Sequence, residues 1–463
     1  MHPIRRERFD ALVGYSRLPH AAAITRELEW YASDGEILLA TILVDYEGEF
    51  AAIILGRDAD QRYRCIETLA SFDVIGDART STFEKVKEVL AKEQSIFPQD
   101  DERGKKIDIF VPLYETSKLN PNFEIVRTRE AYLSAKEIIA EAMHHYVDVD
   151  GNFVEQFQTS GFDSRLWELY LFAYFTEETL LIDRTHNAPD FLVTNGEQTV
   201  AIEAVTVQAS QNKDAEEIDI DELTPQQVQE LHRHYMPIKF GSPLYSKLKK
   251  KYWEKEHVED SPLVFAIADF HAKQSMLWSS TALLNYLYGV SHDFQFSEDG
   301  KLVISPLKID FHEYKGKKIP SGFFFTEDTE HVAAVLFSAT GTISKFIRMG
   351  KLAGFGDQSI KILYHGTCHK HDPNAALPDR FLFEIDENYE ETWGEGVSIF
   401  HNPRALHPLS RDVFPSAAHH YMADDGQIVS YLPEFHPYNG MTVMLQATDH
   451  LNSEATDGQK TEC

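Results

Sequence analysis

The sequence predicts an α/β protein: a central mixed sheet flanked by helices, a small α+β domain before it and a strand-rich region after it. Three observations carry this reading. The chain has 463 residues, enough for two to four domains with ample core. Between residues 150 and 290 the apolar patterns run helix, three strands, helix, strand, an order that lays helices against a sheet. Hydrophobic residues make up 43% and charged residues 25%, the balance of a globular chain. No internal repeat or long low-complexity tract is visible.

The elements follow in order. In the first domain, 1–145, "AAAITRELEWYA" reads as a helix. Residues 36–72 read as three strands with turns near Gly48 and Asp58, and "STFEKVKEVLAKE" as an amphipathic helix. The second domain, 150–290, opens with a helix over 163–176. Strands follow in "LLIDR", "PDFLVT" and "TVAIEAVTV", then a polar acidic insertion, "NKDAEEIDIDEL". A helix over 243–256 has Ser242 as its cap and Pro243 at its first position, and "LVFAIADFH" closes the unit as a strand. The third domain, 291–463, mixes short strands with turn residues. Its most regular piece is "HVAAVLFSATGTISKFIRMG", and "LNSEATDGQKTEC" reads as a loose tail.

The formal net charge is -30, from 44 Lys plus Arg against 74 Asp plus Glu. A uniformly acidic surface repels nucleic acid, so any phosphate-binding face must be a local basic patch. The three cysteines, Cys65, Cys368 and Cys463, form no CxxC pair, which argues against a disulfide framework or a cysteine zinc site and for a reducing compartment. The N-terminus has no apolar stretch of signal-peptide length, and no run approaches the ~18 apolar residues of a membrane span. The expectation is a cytoplasmic protein without membrane contact.

Three carboxylates stand out. From Leu166 to Phe175 every residue is apolar or aromatic except Glu168, whose helical neighbours are Leu171, Phe172 and Phe175. A buried, unpaired carboxylate costs on the order of several kcal/mol, so a cation must answer it, and Arg165 one turn back is the plainest candidate. Asp190 shares a strand face with Leu192 and Thr194, and Glu203 with Ala201, Val205 and Val207. A hairpin brings these two acids together, and a helix on the same face adds Glu168. Such a set, without three matching bases, suits a hard divalent cation, Mg²⁺ or Mn²⁺.

This order of parts, with Glu168 in the first helix, Asp190 in "PD" and Glu203 in "IEA", resembles the PD-(D/E)xK nuclease superfamily and its restriction-endonuclease-like core. The resemblance covers about residues 153–271. It implies metal binding at Glu168, Asp190 and Glu203, cleavage of phosphodiesters, with DNA the first choice of substrate, and a role in nucleic-acid processing or defence. The pattern wants a lysine two residues after the second acid; Val205 stands there. Gln208 falls on the opposite face by alternation. The helix "SPLYSKLKKKYWEK" has Leu244, Leu248 and Tyr252 as its core stripe, with Lys247 at the edge and Lys250 further out. Lys247 is therefore the candidate for the catalytic cation, set against a solvated basic face of Lys247, Lys249, Lys250 and Lys251. The alternative reading is an inactive nuclease-fold scaffold or binding module for a protein or nucleic-acid partner; in either reading a protein partner or a homo-oligomer is open.

Weaker signals remain. "YHGTCHKHD" groups His365, Cys368, His369 and His371, and His401, His407, His419 and His420 follow, all in spacings that match no metal pattern. Lys345, Arg348 and Lys351 around Phe346 suggest a phosphate-contact strip or an ordinary surface. No GxxxxGK[ST] loop is present.

Overall fold

The computed structural model describes residues 1–102, 108–209, 223–272 and 274–445. Residues 212–222 of the acidic insertion and the C-terminal tail lie outside them. Its centre is an eight-stranded mixed sheet built from β1 (Leu181–Asp183), β2 (Phe191–Thr194), β3 (Thr199–Gln208), β4 (Leu263–Phe270), β5 (Val332–Ser338), β6 (Val397–His401), β7 (Ala418–Met422) and β8 (Ile428–Tyr431). The strands lie side by side in chain order. β1, β2 and β3 form an antiparallel meander, and β4 and β5 continue parallel to β3. The β2–β3 turn depends on Gly196 at φ 92°, a left-handed conformation that favours glycine. Asn195 Oδ1 braces the turn by accepting from the amides of Glu197 and Gln198.

A boundary near residue 290 would cut this sheet, because β4 and β5 pair directly across it. The two faces carry separate cores. On one, α1 (Phe162–Glu177) buries Leu166 through Phe175 and packs with Ile202, Val264 and Ala266. Trp167 Nε1 donates to the Ala266 carbonyl at 2.9 Å. On the other, α2 (Met236–Leu248) packs Phe240, Leu244 and Leu248 on Val205, Val207 and Ile267.

The expected helix over 243–256 is displaced. α2 begins at Met236, following a π-helical turn over Leu231–Tyr235, and contains Pro243 inside it. Ser242 is therefore not a cap; its carbonyl accepts from the Ser246 hydroxyl. The apolar residues upstream of Ser242 have sheet surface to cover, and that burial outweighs the local stop signal. α2 ends at Leu248, and Lys251 at φ 48° reverses the chain into a short turn over Tyr252–Glu254.

The N-terminal part carries its own five-stranded antiparallel sheet, including Thr25–Ala32, Leu38–Asp45, Phe50–Arg57 and Tyr63–Phe72, with the helix Ile75–Leu90 on one face. The expected helix over 21–32 is only Pro19–Ile24; the remainder pairs as a strand. Among the described residues no helix is long and apolar enough to cross a membrane.

Candidate functional site

Asp190 immediately precedes β2. The Phe191–Ile202 pair sets the register, which places Asp190 across from Glu203 on the α2 face. Asp190 Oδ2 accepts the Ala204 amide at 2.8 Å, locking the two acids side by side. Glu203 is 4% exposed. Its Oε1 accepts from Tyr252 Oη at 2.5 Å and forms an ion pair with Lys247 Nζ. The sequence order thus brings Asp190, Glu203 and Lys247 together.

Glu168 arrives differently. It stands on α1, which packs on the opposite face of the sheet, so no shared face joins it to the other two acids. Both its oxygens are engaged. Oε1 accepts from Arg165 Nη1 at 2.7 Å, Oε2 accepts from Tyr146 Oη at 2.7 Å, and Arg184 Nη2 lies 3.7 Å from Oε2. The Arg184 guanidinium sits 3.9 Å above the Tyr146 ring and 4.7 Å from that of Phe191. Tyr146, Arg184 and Tyr252 are the residues that sequence reasoning missed as site members. Of these only Tyr252 left a signal, as part of the apolar stripe of the expected 243–256 helix, and there it looked like core.

The electrostatics join the acids despite the two faces. Burial pushes the Glu168 carboxyl up to about 7, against the pull of Arg165, and the charge of Glu203 adds to the rise. Burial also lifts Asp190 to about 7, followed by the charges of Glu203 and Glu168. Burial and Glu203 raise the Tyr252 phenol as well. Ionising all of these acids is therefore costly, and further positive charge at the site would lower that cost.

Whether a divalent cation fits depends on the free oxygens. Among the described residues, Asp190 Oδ1 and Glu203 Oε2 accept no hydrogen bond, whereas Glu168 is fully engaged. No group of three or more His, Cys, Asp or Glu side chains is arranged for a metal ion among those residues. Two carboxylates completed by water still suit Mg²⁺, which typically takes one or two protein carboxylates and keeps several waters. The donor set therefore fits a cation held by Asp190 and Glu203, without direct ligation by Glu168.

The other sequence signals resolve into packing. Lys345 and Arg348 form no phosphate strip: they are 0% and 1% exposed and both pair with buried Glu391. His369 and His371 bond to Tyr438 Oη and the Glu434 carbonyl, and His401 to His419 at 2.9 Å. In comparisons with protein-family models, curated proteins and solved structures, the chain matches none.

Proposed function

We propose that this chain is a metal-dependent nuclease acting on DNA, with its centre at Asp190, Glu203 and Lys247. One observation carries the reading: the ammonium absent at position 205 is present in space, supplied by Lys247 from α2 and placed on Glu203. The order of α1, β1, β2, β3, α2 and β4 supports it, because a restriction-endonuclease-like core would run the same way. A divalent cation bound at Asp190 and Glu203 would lower the pKa of a bound water and neutralise charge on the scissile phosphate. Tyr252 holds Glu203 through Oε1 and leaves Oε2 available. Lys247 places a positive charge beside the position where negative charge develops during attack. Arg165 and Tyr146 hold Glu168 on the other face of the sheet, where its charge raises the cost of ionising Asp190.

A second reading, an inactive scaffold, is favoured by the same ion pairs, since Lys247 and Arg165 already neutralise Glu203 and Glu168. Plasmid and oligonucleotide cleavage with Mg²⁺ or Mn²⁺, with calorimetric titration of the same ions, decides between them. Lys247→Ala is expected to lose ~10²-fold or more in cleavage rate, the scale of one electrostatic donor, while Lys250→Ala cuts nearly as wild type. A wild-type chain that binds neither ion and cuts nothing leaves the scaffold reading standing.

A further inference from the structure

The N-terminal sheet covers only one of its faces with the helix Ile75–Leu90. On the other face, Trp30, Thr41, Ile53 and Thr68 form a row across four strands, with Leu43 beside it. Trp30 and Ile53 of this row pack against the main core but stay only partly buried. A pocket of about 710 Å³ separates the row from Met349, Leu352 and the end of α1. That volume lies in the range of roughly 300–1,000 Å³ usual for small-molecule sites. Exposed Leu18 also lines it and marks an opening to solvent. An apolar wall facing a void of this size forfeits packing contacts that a ligand would restore.

Two polar features say what kind of ligand. Glu177, the last residue of α1, is an exposed side chain that lines the pocket. Its carboxylate accepts only the amides of Trp393 and Gly394, both at 2.9 Å, and no basic side chain pairs with it among the described residues. It also stands at the negative end of a helix dipole, where an anion is disfavoured and a cation welcome. On the opposite wall Thr41 Oγ1 is buried without a hydrogen-bond partner. Of the three arginines that line the pocket, Arg17 is held by Glu27 and Asp10 and Arg6 by Asp10, while Arg26 is exposed.

The geometry points to a binding site for an apolar amine, whose hydrocarbon body fills the pocket against the sheet and whose ammonium pairs with Glu177. Trp393 also lines the pocket and offers an aromatic surface near the charge. The site is separate from the carboxylates of β2 and β3 and stands whether or not the chain cuts DNA.

Calorimetry and tryptophan fluorescence on the full chain, with n-octylamine, 1-octanol and octanoate as probes, test it. Octylamine is expected to bind at one saturable site, about ten-fold or more tighter than octanol, the scale of one charge-assisted hydrogen bond, and octanoate more weakly than either. Glu177→Gln should erase the amine preference and leave octanol binding unchanged. Ala51→Phe, which fills the pocket, should abolish binding of all three at an unchanged circular-dichroism spectrum. Should that variant not fold, competition between octylamine and octanol for one site decides instead. Equal affinity for all three probes, binding indifferent to Glu177→Gln, absence of such competition, or no saturable octylamine binding overturns the proposal.

Discussion

At the scale of single residues, the carboxyls at Asp190 and Glu168 are held high, and this has a thermodynamic consequence. Asp190 has a folded-state value of about 7, against about 4 for an unfolded aspartate. Between those values the native chain keeps a proton that the unfolded chain has lost, so native stability falls as pH rises from about 4 to about 7. Asp190→Asn removes this penalty. The melting temperature of the variant relative to wild type, measured without metal, should rise across that window and then level off. Mg²⁺, if held by Asp190 and Glu203, should stabilise wild type and not the variant. A temperature difference that stays flat from pH 4 to 7 would show that Asp190 titrates normally; an Mg²⁺ effect retained in the variant would place the ion elsewhere.

At the scale of elements, the helix α3 (Ile343–Leu352) is anchored by an ion cluster rather than by its apolar stripe alone. Lys345 Nζ meets Glu391 Oε1 at 2.6 Å and Arg348 Nη2 meets it at 2.7 Å. Arg348 Nη1 also donates to Thr442 Oγ1, and its guanidinium lies 3.8 Å over the Tyr364 ring. Burial alone would raise Glu391; the charges of Arg348 and Lys345 more than offset it and hold the carboxyl below its ordinary range. Arg348→Ala leaves a buried carboxylate short of one partner and should cost ~3–5 kcal/mol, read by denaturant unfolding. Lys361→Ala, on an exposed pair with Glu384, should change stability by less than about 1 kcal/mol. Similar losses from both variants would mean that the buried cluster contributes no more than a surface pair.

At the scale of the whole molecule, the expected three domains share structure. The main core runs from Phe9 and Leu12 through Ile138 and α1 to Ile399 and Phe414, and the central sheet draws strands from both sides of residue 290. The cost of separating these parts is the exposure of β4 and β5 as open edges. Calorimetry of the full chain should therefore give one dominant unfolding transition for residues beyond the N-terminal sheet, and a fragment ending at residue 290 should be unfolded or aggregated. A soluble, cooperatively melting 150–290 fragment would show that this part stands alone.

Periodicity and turn chemistry determined much of this protein. The alternation in "TVAIEAVTV", the run Leu166–Phe175 and the turn around Gly196 were readable because a half-buried strand, a buried helix and a tight hairpin each leave a local pattern. The pairing of Asp190 with Glu203 followed from the period of two. Tertiary structure alone decided where α2 begins, since burial against Val205 and Val207 outweighs the break signal at Ser242 and Pro243. It decided that Tyr252 returns to Glu203, through one left-handed residue at Lys251. It also buried Lys345 and Arg348, because Glu391, more than forty positions away in the chain, supplies the counter-charge. Contacts between residues distant in sequence leave no periodic trace, and their free energy exceeds the local preferences that a sequence displays.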